Sequence, residues 1–196
     1  MSGLECSEVM LSELDYTNRM DSEYYKKIYL ELEKTILSCN NKKMGSVASF
    51  LIGPFGSAYD TSNYTDIPEY RYVRGQDVKQ FILSDSEPRY MLKSDFERLK
   101  KYELHTNDIL ISVVGTLGNA CIVTSDSLPA IFSCKSSVVR TKNINPWYLI
   151  CYLNSEYGRN LPRVCHKTRK KVVTIHTLKK EHTKDADIAL VCVFLQ

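Results

Sequence analysis

The chain has 196 residues, 43% of them hydrophobic and 25% charged, with a formal net charge of +3; this is the composition of one soluble globular domain, or of one domain with appendages. No uncharged apolar run is long enough to span a bilayer, and residues 1–8 lack the basic and apolar stretches of a signal peptide, so a cytoplasmic protein with no membrane partner is expected.

Residues 1–20 are polar and read as irregular. Asp21 or Ser22 can cap a helix running to about Cys39, with Tyr25, Ile28, Tyr29, Leu32 and Ile36 on one face at helical spacing. Residues 40–43 end it. Residues 46–52 suit a short strand. Residues 53–66 form a loop rich in Gly, Ser, Tyr, Asn and Asp; Tyr59, Asn63 and Tyr64 give it stacking and hydrogen-bonding capacity, and the plain alternative is a surface loop. In residues 67–78, Tyr70, Tyr72 and Val78 make one strand face, with Arg71 and the Val73–Arg74 step around the other. Ser94-Asp-Phe-Glu97 has the spacing of a capping box, which predicts a scaffold helix over 95–102 anchored by Leu92, Phe96, Leu99 and Leu104.

Residues 109–114 and 120–123 are short, β-branched apolar runs around Gly115 and Gly118, which predicts a buried hairpin with a glycine turn. Leu128-Pro129 turns the chain, and residues 130–140 read as one long strand or two short ones. Asn145 caps a further helix, with Pro146 at its first position and Gly158 as the residue just past its end. Trp147, in its first turn, reads as a packing residue. Beyond it, Arg163, Lys167, Arg169, Lys170, Lys171, Lys179, Lys180 and Lys184 crowd the tail. Such a run can neutralise phosphates or simply be solvated.

The order of these segments resembles the target-recognition domain of specificity subunits from type I restriction–modification systems. Arg19-Met-Asp-Ser-Glu-Tyr-Tyr25 is similar to that family's opening into its first helix. Gly53-Pro-Phe-Gly-Ser57 matches its glycine loop, and Ile67-Pro-Glu-Tyr-Arg-Tyr-Val-Arg-Gly-Gln-Asp-Val78 its "(I/V)-P-Y-(I/L/V)-R-(G/V)-x-D-(I/V)". Asp108-Ile-Leu-Ile-Ser112 with Gly115-Thr-Leu-Gly118 matches "G-D-I-L-(I/L)-S…G-T-(I/L)-G", with Asn107 where glycine is frequent. Residues 130–140 resemble "(A/G)-(V/I)-(L/I)-S-x-x-x-x-V-(I/V)-R", with Cys134 where many relatives have glutamine. Residues 144–158 resemble "I-N-P-x-Y-L-x-x-(Y/F)-L-N-S-x-x-G". The resemblance covers about residues 11–160 and then fails, so a single-domain, truncated or altered form with an atypical end is expected.

The resemblance implies an α+β fold: a small twisted, mostly antiparallel sheet domain with flanking helices, preceded by an N-terminal helix. It divides the chain into an N-terminal segment and helix (1–40), a recognition domain (41–162) and a basic tail (163–196). It implies sequence-specific recognition of double-stranded DNA, with methyltransferase subunits and a motor-nuclease subunit supplying the chemistry. Since one such domain reads half of a split target, a self-dimer or a second half-subunit is implied as well. The DNA-facing candidates are Arg71, Arg74, Gln76, Tyr59, Asn63, Tyr64, Lys135, Ser136 and Ser137. Arginine can fork onto guanine or clamp a phosphate, and glutamine can bridge adenine. For Arg74 the competing reading is an ion pair with Asp77 or Asp85. The alternative functions are a recognition piece of a fused restriction-methylase, or an interaction-only remnant.

No chemistry of its own is expected. The glycine loop and Asn/Asp-Pro-Pro-Tyr/Phe motif of an adenine methylase are missing, as is a Walker-type phosphate loop. His105, His166, His176 and His182 are dispersed, and the seven cysteines include no Cys-x-x-Cys pair. Neither a cofactor nor a metal is expected, and Cys165-His166 reads as structural or incidental.

Overall fold

The computed structural model describes residues 6–11, 22, 25–39, 41–54, 56–114, 118–159 and 189–191. The fold is α+β. In chain order the elements are α1 (Lys27–Ser38), β1 (Asn41–Lys43), α2 (Met44–Val47), β2 (Ala48–Ile52), β3 (Tyr64–Thr65), β4 (Tyr70–Val73), β5 (Tyr90–Met91), α3 (Lys93–Arg98), β6 (Ile109–Ser112), β7 (Ala120–Ile122), β8 (Ala130–Phe132), β9 (Ser136–Thr141), α4 (Pro146–Asn154) and β10 (Ala189–Val191). Short 3-10 turns join several of them. Asp21, Gly115, the basic run 163–184 and Cys165-His166 lie outside the described residues.

Among the described residues, ten strands form three sheets. One has the order β2-β9-β6-β7 and is antiparallel throughout; the second has the order β3-β5-β4-β8, with β4 and β8 parallel; β1 and β10 make an antiparallel pair. The expected hairpin is β6–β7, with Leu110 opposite Cys121. Residues 130–140 resolve as two short strands, and those strands belong to different sheets. β8 closes the second sheet, the chain steps across at residues 133–135, and β9 enters the first.

Alternation along the strands explains why they read as continuous apolar runs. Leu110, Cys121 and Val138 meet Val73, Ala130 and Phe132 between the two four-stranded sheets. Their neighbours Ile109, Ile122 and Val139 face the other way, onto Leu149, Ile150 and Leu153 of α4 and Met44 and Val47 of α2. On the far side of the second sheet, Tyr72 and Ile131 pack against Phe96 and Leu99. The layers are therefore helix, sheet, sheet, helix, and strands covered on both faces need apolar side chains on both.

The family-like motifs prove to be joints. Asp108 is buried and accepts from Arg140 Nε at 2.9 Å and Nη2 at 3.0 Å, and from the His105 N–H at 2.9 Å. This ties the start of β6 to the end of β9. Asn107 has φ +70°, the left-handed region that glycine enters freely and asparagine tolerates. Asn154 on α4 accepts from the Ala120 N–H at 3.2 Å and donates to the Ala120 carbonyl at 2.8 Å, clamping the open edge of β7.

Four local expectations need correction. α1 begins at Lys27, later than a cap at Asp21 or Ser22 implies. α3 begins at Lys93, with Leu92 as its N-cap residue, so Ser94 caps nothing and Leu92 is exposed. In place of Ser94, Asp95 in the first turn pairs with Arg98, which donates to the Ala58 carbonyl at 2.7 Å and ties α3 to the 53–66 loop. α4 has the expected Asn145 cap, accepting from the Trp147 N–H at 2.9 Å, but it ends at Asn154. Gly158 sits in a further turn, where a Cβ would meet the Tyr152 carbonyl oxygen at 2.2 Å. Trp147, expected to pack, is 55% exposed.

Candidate functional site

The step at residues 133–135 creates a concavity. Two loops press against it, and each can do so only through glycine. A Cβ on Gly53 would lie 2.2 Å from the Ser133 carbonyl oxygen; one on Gly75 would lie 2.9 Å from Lys135 Cβ and 3.1 Å from its carbonyl oxygen. Ser133 Oγ accepts from the Lys135 N–H at 3.3 Å, and the Lys135 carbonyl accepts from the Val113 N–H at 3.0 Å. The backbone of Lys135 is thus fixed while its side chain stays exposed. A cleft of about 700 Å³ opens here, with Tyr59, Tyr64 and Tyr72 on one wall and Arg74, Gln76, Lys79 and Lys135 around the rest.

The aromatic wall is a close cluster. The rings of Tyr59 and Tyr72 are 4.6 Å apart, those of Tyr59 and Tyr64 5.8 Å, and the Arg89 guanidinium lies 5.9 Å over Tyr64. Burial, with Asp95 nearby, pushes the Tyr59 phenol up to about 12; burial also raises Tyr72 and Tyr64. These phenols therefore stay neutral at any physiological pH. The Tyr59 hydroxyl is buried and unpartnered.

Arg74 is held from several sides. Its backbone N–H and Nε donate to Asp77 Oδ2 at 2.8 and 3.2 Å, Nη2 donates to Asp77 Oδ1 at 2.8 Å, and Nη2 also reaches the Glu87 carbonyl at 2.7 Å. The hydrogen bond to Asp77 raises its pKa further. This is the competing ion pair weighed from the sequence. It closes the 3-10 turn Gly75–Asp77, which points Gln76 outward. With its amide oriented to satisfy both partners, Gln76 Oε1 accepts from both terminal nitrogens of Arg74 at 3.2 Å.

Five sequence candidates thus meet at one cleft: Tyr59, Tyr64, Arg74, Gln76 and Lys135. Asn63 lies beside them, exposed, at the end of the turn Thr61–Asn63. Arg71, Ser136 and Ser137 do not join them. Arg71 is buried, pairs with Asp85 and donates to the Ser84 carbonyl at 2.6 Å. Ser136 and Ser137 are buried within β9. The reason is the second sheet: alternation separates two faces of a strand, but here neither face is open to solvent. Gly118 has φ +83°, as a glycine turn requires. Sequence reasoning missed Lys79, which lines the cleft and follows the Val78 that closes the β4 motif.

Among the described residues, no group of three His, Cys, Asp or Glu side chains is placed to hold a metal ion, and no helix is long and apolar enough to cross a membrane.

No family model matches the sequence, and no curated protein matches it. Solved structures do match. One is the HsdS subunit from Thermoanaerobacter tengcongensis, at 12% identity and TM-score 0.48 over 74% of this chain. A second, from a study of assembly and conformational transition in the type I R-M system, aligns at 13% identity and TM-score 0.46 over 65% of this chain. A third is the type IIG restriction endonuclease BpuSI, at 11% identity and TM-score 0.55 over 74% of this chain. In fold, this chain resembles part of that type IIG endonuclease. It spans 37%, 34% and 24% of those three chains respectively. At such identity the likeness is one of fold, and the cleft must be read from its own residues.

Proposed function

We propose that this chain recognises double-stranded DNA in a sequence-specific way, as a non-catalytic specificity component of a type I restriction–modification complex. Methyltransferase subunits and a motor-nuclease subunit carry the chemistry, and a self-dimer or second half-subunit reads the other half of the target. Residues 41–162 are the recognition domain, after the N-terminal segment 1–40 and before the basic tail 163–196. The observation that carries this reading is the meeting of Gln76, Lys79 and Lys135 at one cleft beside a tyrosine wall.

Lys79 and Lys135 are exposed and act on phosphates, which fixes position and makes affinity salt-dependent. Gln76, carried on a braced turn, reads a base edge. Arg74 is a positioning residue for that turn. Arg71, buried and paired with the exposed Asp85, is assigned to the scaffold. Tyr64 lines the cleft, and Asn63 is exposed next to it in the chain. A second reading, the recognition piece of a fused restriction-methylase, draws support from the fold shared with a type IIG endonuclease at TM-score 0.55.

Selection from a randomised duplex pool tests the proposal, followed by fluorescence anisotropy on the selected and on random duplexes. Gln76→Ala should cost about 1–3 kcal/mol on the selected duplex and little on random DNA. Failure to enrich any duplex, with the chain alone or with methyltransferase subunits, would falsify the reading. Stable co-purification with separate methyltransferase subunits favours the first reading over the second.

A further inference from the structure

Residues 78–83 form a tight hairpin, with Val78 bridged to Leu83 and the Lys79 N–H donating to the Ile82 carbonyl at 3.2 Å. Its tip carries a backbone anomaly. Phe81 has φ +69° and, with Asn107, is one of two non-glycine residues in the left-handed region among those described. For a bulky aromatic residue this conformation is strained, and it persists only where surrounding structure imposes it. Here the imposition is explicit. The Phe81 N–H donates to the Ala120 carbonyl at 2.8 Å, and its carbonyl accepts from the Ile122 N–H at 3.3 Å, so the tip lies along the open edge of β7. With its amide oriented to satisfy both partners, the oxygen of Gln80 accepts from both terminal nitrogens of Arg159, which also donates to Asn119 Oδ1 at 2.9 Å.

A glycine would meet that backbone geometry without strain. Instead the position holds a phenylalanine that is 44% exposed, next to an isoleucine that is 65% exposed. Burial therefore does not account for either side chain. The tip contains no acid. Lys79, two residues away, lines the cleft with Gln76 and Lys135, and the Arg159 guanidinium sits on Gln80. A rigid apolar point flanked by cations suits a polyanion whose stacked interior is apolar, and exposed Phe and Ile are side chains that proteins insert between base steps. A neutral protein partner would have no use for the positive flank.

We propose that Phe81 and Ile82 form a wedge that enters a base step of bound duplex and partly unstacks it, beside the site read by Gln76. This rests on the DNA-recognition reading above and adds deformation of the duplex to it. Sequence preference would then extend to a flexible step that no side chain reads directly.

The test uses the full chain and the duplex it selects, with 2-aminopurine placed at successive positions. Binding by the wild type should raise the fluorescence several-fold at one step. Phe81→Gly is the informative variant, because it removes the ring and relieves the positive φ. It should keep Tm within about 3 °C of wild type, lose the fluorescence rise, and bind the selected duplex about tenfold more weakly. A wild type that selects and binds a duplex but leaves every position silent overturns the wedge while the recognition reading stands. So does a Phe81→Gly chain that retains the signal. A variant that reads DNA normally yet no longer co-purifies with methyltransferase subunits places the tip at a protein interface, which also overturns it. If no duplex is selected at all, both proposals fall together.

Discussion

A single methyl group decides whether the cleft can form. Gly75 has an ordinary φ, so conformational freedom is not why glycine stands there; the backbone of Lys135 is. Gly75→Ala must push Lys135 Cβ, 2.9 Å away, which has no flexible end to swing aside. Overpacking of this kind costs about 1–3 kcal/mol, and urea unfolding should show it; the displaced Lys135 should also lower duplex affinity. Cys121 gives a second residue-scale test. It is fully buried between the sheets, and burial pushes its thiol from 9.0 up to about 12. The folded state therefore resists ionisation that the unfolded chain accepts. Its contribution is intact below pH 9 and is lost as pH climbs from 9 towards 12. By pH 10.5 the loss reaches about 2 kcal/mol. Buried tyrosines titrate in the same direction, so the comparison is with Cys121→Ala: its stability should fall less steeply between pH 8.5 and 10.5. Equal slopes would mean that Cys121 is solvated in the fold.

At the scale of elements, what the sequence made legible is backbone geometry that only certain residues satisfy. The Asp108 motif was placed by its resemblance to a family pattern; the structure adds that Asn107 occupies the left-handed region and that Asp108 holds Arg140 across two strands. The β6–β7 hairpin followed from two apolar runs around a glycine turn. The start of α4 followed from Asn145 and Pro146. The burial of Arg71 was not legible, because a period of two shows which residues share a face and says nothing of what covers it. Nor was the exposure of Trp147, since α4 packs through Leu149, Ile150 and Leu153 and turns its first residues outward. Asn154 makes the contact between α4 and β7 testable. Asn154→Ala leaves the Ala120 N–H without its partner and removes one of two donors to the Ala120 carbonyl. Losing a part-buried pair of this kind costs about 1–3 kcal/mol. Hydrogen exchange at the Ala120 amide should accelerate more than exchange within β9, which marks local opening of the edge.

For the molecule as a whole, the placement of charge matters more than its total. A net charge of +3 is too small to hold nucleic acid by its overall field. The cleft, however, sets Lys79 and Lys135 beside neutral phenols, with Arg89 over Tyr64, while Asp77 is paired with Arg74 and Asp60 stays exposed to solvent. Two exposed lysines therefore share one cleft although the chain is nearly balanced. Each lysine that displaces a counterion adds about −0.9 to the slope of log K against log salt. Replacing both Lys79 and Lys135 by alanine should flatten the slope by about two units, equally on selected and random duplexes, because phosphate contacts carry no sequence information. Gln76→Ala should leave the slope unchanged while lowering preference. If instead the double lysine variant kept the wild-type slope, the phosphates would have to be met elsewhere on the surface. The cleft would then be a feature of the joint between sheets and not the place where DNA lies.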